Sequence, residues 1–349
     1  MDTLTHALSG ALSARATVPG GLPPRAIPRR IAAGFLACAA PDLDFVVGWL
    51  GPVAYLEHHR GLTHSVLMIP LFAFVLAWIL AKLLREPGGW RAFYGVCALA
   101  LAMHIAGDLI TSFGTMVFAP LSNWRAALGT TFIIDLWFSG IIVAGLVASA
   151  FLYRSRAPAM VSLAVICGYV AFQAVQKERA IDFGNEYAAR HGLANATVTA
   201  HPRPVSPFNW TVFVSDDRSH RFAQVNLVRE EIRLPAADAG FVARLDAAYQ
   251  PLARAEWTER TRYGKPGVEA LAREAWQSPA LGFFRWFAEL PAYDEGISPA
   301  PDCAWFMDLR FFTPGRHIVP FRHGACREPG GGWSAWEHTP SGPVRLEHR

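Results

Sequence analysis

The first half of this 349-residue sequence is poor in charge. Residues 1–176 hold 18 of the 60 charged side chains, whereas soluble domains carry about 25% charged residues throughout. Three runs without a charged residue approach the about 20 residues that a helix needs to cross a bilayer; they are Gly61–Ala81, Leu136–Tyr153 and Ala157–Gln176. This pattern excludes a wholly soluble protein, and the 52% apolar composition excludes a disordered, collagen-like or coiled-coil chain.

The sequence also lacks the signatures of several protein classes. The net charge is only +4, and no zinc finger, RNA-binding aromatic motif or basic helix occurs, which argues against nucleic acid as a partner. HExxH, GxSxG, SxxK and P-loop patterns are missing, so the peptidase, esterase and nucleotide-hydrolase chemistries that use them have no support. The five cysteines form no CxxC pair. Cys303 and Cys326 lie in the polar half and can pair if that half faces an oxidising compartment.

Apolar segments in the first half predict a mainly α, polytopic membrane domain. Residues 3–16 indicate a short helix of small side chains, and residues 19–28 a loop rich in glycine and proline. Ile31–Leu50 is apolar but contains Pro41, so we expect a broken or re-entrant span there. The clearer spans are Val66–Leu84, Phe93–Ile110, Phe132–Tyr153 and Met160–Val175. About five crossings are therefore expected, in addition to the N-terminal helix.

Arginine placement predicts the orientation of this domain. Loops 19–30, 82–91 and 154–159 are basic, whereas loops 51–65 and 112–131 carry one arginine each. Basic loops remain on the cytoplasmic side of a membrane. We therefore expect the other two loops and the C-terminal half of the chain to lie outside the cytoplasm.

After Gln176 the pattern becomes that of a soluble α+β domain. The sequence predicts two domains, a membrane domain of residues 1–176 and a soluble domain of residues 177–349. Alternation of apolar and polar residues predicts strands at Thr197–Ala200, Trp210–Ser215, Phe222–Val228, Ala304–Phe312 and His317–Arg322. Helices are predicted at Ala237–Tyr249, Val268–Trp276 and Leu281–Leu290. No catalytic signature occurs in this half.

Ionisable residues inside apolar segments are costly and mark function more often than packing. His104 and Asp108 lie four residues apart on one face of a predicted helix. They can share a metal ion, or form a hydrogen bond that tethers helices. Asp42 and Asp44 follow Pro41 with their carboxylates on the same side, where they repel unless a cation lies between them. A helix cap with a solvated turn is the alternative, and the apolar surroundings favour the metal.

The segment EHHRGLTHS supplies three histidines, His58, His59 and His64. Neutral imidazole is the commonest metal ligand among side chains, and Gly61 permits a tight turn that brings His59 and His64 together. Arg60 adds a planar donor fork suited to phosphate or carboxylate. A polar loop at the membrane surface is the alternative, and the density of ligands argues against it.

Two further residues are weaker on their own, since His6 can be structural and Asp135 can cap a helix. Because ionisable groups in a membrane avoid desolvation by sharing a partner, we expect the polar residues to meet in one cluster. Their mixture of nitrogen and oxygen ligands suits one or two divalent ions, most simply Zn²⁺. The set comprises His6, Asp42, Asp44, His59, His64, His104, Asp108 and Asp135.

A resemblance to the YdjM-like family rests on the segments MDTLTHALSG, PDLDF, HHRGLTHS, HIAGDLITSFGT and FIID, within about residues 1–150. This family is described as LexA-regulated, membrane-bound, metal-dependent hydrolases of bacterial inner membranes. A more distant similarity is to zinc-dependent phospholipase C, whose ligands follow the order His, Asp, His and HxxxD. His6, Asp42 or Asp44, His64, His104 and Asp108 follow that order. The further HxxxE pair of that enzyme has no counterpart here except Asp135.

The resemblance implies a metal-dependent hydrolase of the bacterial inner membrane that acts on a phosphoester, for example in a phospholipid. The expected metal ligands are His6, Asp42, Asp44, His64, His104 and Asp108. The expected catalytic residues are His59, Asp135 as a general base or ligand, and Arg60 as a phosphate-binding group. An ion-binding or transport protein that uses the same polar residues is the alternative. A third hypothesis makes the C-terminal domain the functional part, binding partners in the cell envelope.

Overall fold

The computed structural model describes residues 1–236, 238–297, 302–315 and 319–346. Contacts divide the chain into two compact units, one of Met1–Val46 with His58–Gln176 and one of Val47–Glu57 with Lys177–Arg349. The first unit is helical, and the second contains two β-sheets with short helices. This confirms the predicted fold class of a helical membrane domain followed by a soluble α+β domain.

Seven α-helices lie between residues 1 and 190. In chain order they are α1 (Thr3–Ala16), α2 (Ile27–Ala39), α3 (Pro52–His58), α4 (Ile69–Leu83), α5 (Trp90–Leu109), α6 (Leu136–Phe151) and α7 (Ala157–Arg190). Among the described residues, four helical segments are long and apolar enough to cross a membrane: Pro24–Leu50, Val66–Leu83, Trp90–Leu109 and Ala157–Arg190. The apolar helix α6 is shorter, with 16 residues.

Prolines and caps set the helix boundaries, and two predicted boundaries were wrong. The predicted loop to residue 28 ends earlier, because Pro28 lies in the first turn of α2, where a missing N–H is harmless. The span predicted from Phe132 begins only at Leu136, because the Asp135 carboxylate accepts hydrogen bonds from the first amides of α6. The break predicted at Pro41 is present, as α2 passes into a 3₁₀ helix over Ala40–Leu50.

Helix α1 is buried on nearly all sides, because its small side chains let neighbouring backbones approach. A Cβ atom placed on Gly10 would lie 2.2 Å from the carbonyl oxygen of Gly34 in α2. On another face, Leu12 packs against Phe138 and Ile142 of α6. Close contact of this kind replaces the hydrophobic effect as the source of cohesion between membrane helices.

The three basic loops lie together at one end of the first unit. Arg15, at the end of α1, donates to the carbonyls of Tyr153 and Ser155, at 2.8 and 2.7 Å. Arg29 donates to the carbonyl of Arg85 at 3.0 Å. The beginning of α1 and the last residues of α2 and α5 lie at the opposite end, where His104 contacts the Cys38 carbonyl.

The second unit is built on two sheets and three further helices, α8 (Phe241–Ala247), α9 (Glu269–Gln277) and α10 (Gly282–Phe287). The first sheet has the order β1-β2-β3-β4, with β5 also paired to β3, and the second has the order β10-β9-β8-β7-β6. Phe213 and Phe222 of the first sheet share a core with Ala292 and Met307 of the second. The strands are β1 (Thr197–Pro202), β2 (Asn209–Ser215), β3 (Ser219–Asn226), β4 (Gln250–Pro251), β5 (Trp257–Thr261), β6 (Pro291–Tyr293), β7 (Cys303–Asp308), β8 (His323–Arg327), β9 (Trp333–Thr339) and β10 (Gly342–Arg345).

Several element boundaries in this unit differ from the predictions. The predicted strand Ala304–Phe312 ends at Asp308, whose carboxylate caps the 3₁₀ turn Leu309–Phe311. The predicted strand His317–Arg322 starts outside the described residues, and its remainder, residues 319–322, precedes β8 without strand structure. The helix predicted from Ala237, itself outside the described residues, begins at Phe241. Cys303 and Cys326 form a disulfide between β7 and β8.

We predict that Gly10→Ala lowers the free energy of unfolding by about 1–3 kcal/mol, because the new methyl group overpacks the crossing of α1 with α2. Thermal unfolding of the detergent-solubilised protein measures this effect. The matched control is Gly140→Ala in α6, where a Cβ meets nothing within 4 Å. Since alanine favours helix by about 1 kcal/mol over glycine, the control should be neutral or slightly stabilised. Equal effects of the two changes would contradict close packing at Gly10.

Candidate metal centre

Polar side chains from four segments converge at the end of the bundle that lies opposite the basic loops. His6 comes from α1, Asp42 from the 3₁₀ helix that follows α2, and His64 from a short 3₁₀ turn, Leu62–His64. His104 and Asp108 come from the last two turns of α5. His64, His104 and Asp108 have no exposed surface, which is unusual for ionisable residues in a membrane protein.

Four of these residues direct one atom each toward a common point. The Nε2 atoms of His64 and His104 are 2.9 Å apart. The Oδ2 atom of Asp108 lies 3.1 Å from the His64 Nε2 and 3.5 Å from the His104 Nε2. The Oδ1 atom of Asp42 lies 3.6 Å from the His104 Nε2 and 3.9 Å from the His64 Nε2.

Hydrogen bonds on the far side of each ring leave these Nε2 atoms as acceptors. The Nδ1 atom of His104 lies 2.6 Å from the Cys38 carbonyl oxygen, to which it can only donate. The Nδ1 atom of His64 lies 3.3 Å from Asp44 Oδ2. A second partner of this kind fixes the tautomer of metal-binding histidines. With both Nδ1 atoms protonated, two nitrogen lone pairs and two carboxylate oxygens face one another.

This arrangement fits a divalent ion such as Zn²⁺. In a tetrahedral site, ligand atoms about 2.0–2.1 Å from the ion stand about 3.3–3.4 Å apart. The five separations among the four atoms range from 2.9 to 3.9 Å. The Oδ2 atoms of Asp42 and Asp108 are buried without a hydrogen-bond partner, so acceptor capacity remains for a cation.

His6 joins the group from the other side of Asp108. Its Nε2 atom lies 3.1 Å from Asp108 Oδ1, and its ring stacks on that of His104 at 3.8 Å between centroids. One ligand atom each from His6, Asp42, His104 and Asp108 lies within 4.8 Å of the others. The amino group of Met1 also contacts Asp108 Oδ1. The structure thus places five predicted metal ligands together: His6, Asp42, His64, His104 and Asp108.

Asp44 and His59 form a pair beside this group. Asp44 Oδ1 lies 2.6 Å from His59 Nδ1, while Asp44 Oδ2 accepts from the Arg60 amide at 3.1 Å and the Thr63 hydroxyl at 2.7 Å. Because both oxygens of Asp44 are already engaged, the geometry makes it a positioning residue for His59, Arg60 and His64. This differs from the predicted role of metal ligand.

Arg60 is held in a strained backbone conformation that points its guanidinium into the cluster. Its φ of 59° lies in the left-handed region, which non-glycine residues adopt at a cost. The Nη2 atom lies 2.9 Å from Asp108 Oδ1, and Nη1 donates to the Thr111 hydroxyl at 3.0 Å. Its buried Nε has no hydrogen-bond partner. Arg60 therefore balances part of the negative charge of Asp108 and retains a donor.

The structure does not bring Asp135 to this cluster. Its carboxylate accepts from the amides of Trp137 and Phe138, both at 2.9 Å, and from the Tyr169 hydroxyl at 2.9 Å. Of the roles considered from the sequence, namely helix cap, general base and metal ligand, the helix cap is the one that its contacts support.

Sequence reasoning missed three residues that support the site. Cys38 positions His104 through its carbonyl, and its sulfur lies near the ring nitrogens of His6 and His104. Thr63 binds Asp44 and His64, and Thr111 binds Arg60. A threonine one or three positions from a ligand, as in THS and DLIT, is the signal that could have revealed Thr63 and Thr111. A main-chain carbonyl leaves no signal in a sequence.

The buried histidine of the second sheet has a different environment. His323 lies between Phe283 and Phe284, with centroid distances of 5.2 and 4.9 Å. Burial lowers the pKa of His323 to about 3, so the ring is neutral at physiological pH. It packs as a core residue.

Comparison with known proteins identifies the family. Residues 1–180, which include the whole cluster, match the profile described as YdjM inner membrane protein. The chain belongs to the YdjM family. Together with the apolar helices, membership makes it a multi-pass inner membrane protein and confirms the predicted family resemblance. No solved structure matches the chain.

The matches to curated relatives cover only part of this chain and part of each relative. "Uncharacterized protein YfhP" of Bacillus subtilis is 27% identical over 185 residues, which are 51% of this chain and 55% of that protein. "Inner membrane protein YdjM" of Escherichia coli is 31% identical over 110 residues, 28% of this chain and 52% of that protein. The same values hold for the protein of that name from Shigella flexneri. The chain thus spans about half the length of the curated relatives it matches.

We predict that the purified protein binds one divalent ion that His104→Ala removes, because alanine deletes a central nitrogen. Asp44→Asn should weaken binding by about 10–100-fold, as is typical for residues that orient metal ligands. Metal analysis and competition with a chelator measure both effects.

Asp135→Asn is the matched control, since asparagine caps helices as well as aspartate does and its contacts are to α6 and α7. It should bind metal like the wild type. Equal metal loss in Asp135→Asn and His104→Ala would contradict the assignment of the site.

Proposed function

We propose that this protein is a membrane-bound, metal-dependent hydrolase whose metal, most simply Zn²⁺, binds at Asp42, His64, His104 and Asp108. The supporting observation is the convergence of four acceptor atoms in a buried site, because such atoms repel one another unless a cation lies between them. His6, 3.1 Å from the other oxygen of Asp108, could complete a wider or second site. A bound divalent ion would polarise a phosphoryl oxygen and lower the pKa of water.

The surrounding residues of the chain would bind and orient the substrate. The buried guanidinium of Arg60 has an unused Nε donor beside Asp108 and would hold an anionic phosphoryl oxygen. The carboxylate of Asp44 fixes the ring of His59, a candidate for proton transfer, through a contact of 2.6 Å. Phe113 packs against the Arg60 guanidinium, 4.9 Å from the ring centroid, and limits its movement.

A phospholipid is the substrate class that the rim of the site favours. Large apolar side chains within two residues of a ligand are exposed, Leu43 to 62% and Leu62 to 46%. At the same end of the bundle, Leu128 and Trp137 are more than half exposed. Aromatic and aliphatic residues at the ends of spans lie at headgroup depth in a bilayer. A phosphoester presented at that depth belongs to a lipid headgroup.

The basic loops support one orientation of the protein in the membrane. The arginine-rich loops lie together at one end of the helices, and by the positive-inside rule we propose that this end faces the cytoplasm. The metal centre and the second unit, which α7 enters after its span, would then lie outside. The disulfide of Cys303 and Cys326 is compatible with that location, because disulfides persist in oxidising compartments.

We expect the purified protein, supplied with Zn²⁺ or Mn²⁺, to release product from a phospholipid or a simple phosphoester. Asp108→Asn should abolish turnover, since it removes the charge that balances the ion. Arg60→Lys should retain metal but lose rate, because an ammonium group cannot replace the guanidinium fork. A panel of both substrate kinds, tested on wild type and variants, measures this.

Two results would overturn the enzymatic proposal: no hydrolysis by wild type with any metal, or hydrolysis that persists undiminished in Asp108→Asn. Ion flux into vesicles without product release would instead identify a transporter that uses the same cluster.

For the orientation, we expect alkaline phosphatase fused after residue 349 to be active, because it folds only outside the cytoplasm. The same reporter inserted in loop 82–91 should be inactive. Activity of the loop fusion alone would reverse the orientation.

A further inference from the structure

The end of the first unit at which the basic loops meet carries far more positive than negative charge. Three segments of the chain form it: residues 15–30, 82–91 and 153–157. They contain nine lysine and arginine residues and a single acidic residue, Glu86. Six of the nine cations are exposed, and this set is called the basic end below: Arg25, Lys82, Arg85, Arg91, Arg154 and Arg156.

Hydrogen bonds to main-chain carbonyls join the three segments. Arg29 donates to the Arg85 carbonyl at 3.0 Å, which connects the first segment to the second. Arg156 donates to the Val18 carbonyl at 3.3 Å, which connects the third segment to the first. The exposed cations therefore belong to one surface of the first unit.

Little of this positive charge is neutralised within the protein. Glu86 contacts the guanidinium of Arg29 at 3.5 Å, and no other carboxylate among the described residues forms an ion pair with a cation of these segments. Arg85 adopts a φ of 51°, a conformation in which glycine is favoured at the end of a helix. An arginine at this position keeps an exposed charge at the cost of backbone strain. The basic end therefore needs counterions or an anionic partner.

Aromatic rings place the basic end at the depth of lipid headgroups. The Nζ atom of Lys82, in the last turn of α4, lies 3.5 Å from the ring centroid of Trp78. The guanidinium carbon of Arg91, in the first turn of α5, lies 4.8 Å from the ring centroid of Trp90. Tryptophan at the ends of membrane spans lies at the interface between lipid and water. Cations that lie on such rings are therefore at the level of lipid phosphates.

Exposed apolar side chains adjoin these cations in the sequence. Leu83 is 66% exposed, Phe151 82% and Leu152 59%, and each lies within three residues of a cation of the basic end. A nucleic acid or an acidic protein would pair with the cations but leave these side chains in water. An anionic phospholipid offers a phosphate to the cations and acyl chains to the apolar side chains, so it fits both.

We propose that the basic end binds the headgroups of anionic phospholipids, such as phosphatidylglycerol, in the leaflet that it faces. Each lysine or arginine near an anionic membrane surface adds to the attraction, and a guanidinium group can donate two parallel hydrogen bonds to a phosphate. Bound lipid would reduce the repulsion among the three segments and so stabilise the bundle. The proposal holds for either orientation of the protein and does not depend on hydrolysis at the metal centre, which lies at the opposite end.

Electron spin resonance of spin-labelled lipids tests this proposal on the full-length protein in phosphatidylcholine vesicles. Lipids in contact with a membrane protein move slowly, and their share of the spectrum gives the relative affinity for phosphatidylglycerol and phosphatidylcholine. The triple variant combines Lys82→Gln, Arg85→Gly and Arg91→Gln, and glycine suits the φ of 51° at position 85. The control variant removes the same charge from exposed side chains of the second unit, with Arg190→Gln, Lys265→Gln and Arg273→Gln.

We expect the wild type to prefer phosphatidylglycerol over phosphatidylcholine several-fold, and added salt to reduce this preference by screening. The triple variant should lose most of the preference, whereas the control variant should keep it. A second variant, Arg154→Gln with Arg156→Gln, should lose a smaller part and replaces the triple variant if that one does not fold. Equal association of the wild type with both lipids would overturn the proposal. A preference that persists undiminished in both variants, or that falls as far in the control, would also overturn it.

Discussion

The structure of the first unit depends on the solvation of one buried carboxylate, Asp108. In an apolar helix bundle an unpaired charge is unstable, and the protein must supply what water would supply elsewhere. It does so with His6 and Arg60 on one oxygen, at 3.1 and 2.9 Å, whereas the other oxygen faces the Nε2 acceptor of His64 at 3.1 Å, where a shared cation would balance both. These partners come from α1, from the turn after α3 and from the 3₁₀ turn at His64, so one side chain fixes how three separate segments meet at the end of α5.

These segments can approach one another because α1 consists largely of small side chains. Gly10 and Gly34 let the backbones of α1 and α2 touch, which places His6 over the ring of His104. A larger residue at Gly10 would separate the two helices and with them two groups of the cluster. The packing of small residues near the centre of the bundle and the geometry of polar residues at its end are thus one constraint.

The sequence predicted much of this arrangement, and its failures have physical causes. Charge depletion and helical spacing were enough to locate the spans and to associate His104 with Asp108. The role of Asp44 was not visible, because adjacent carboxylates look alike until their hydrogen-bond donors, such as the Arg60 amide, are known. Asp135 is a carboxylate beside an apolar span, as the ligands Asp42 and Asp108 are. Its position at the start of α6, however, makes it a helix cap. In the second unit, the sequence did not predict β9 and β10, because these strands depend on pairing with neighbours rather than on local pattern.

The uneven burial of the cluster has a kinetic consequence. His64, His104 and Asp108 are sealed from solvent, while Asp42 and Asp44 retain a small exposed fraction, 9% each. An ion that enters from the side of these two carboxylates would exchange its water for protein ligands as it passes them. An ion that exchanges its bound water slowly would therefore bind slowly, even if the site has a high affinity for it. A chelator in solution would extract a bound ion no faster than the helices open at that edge.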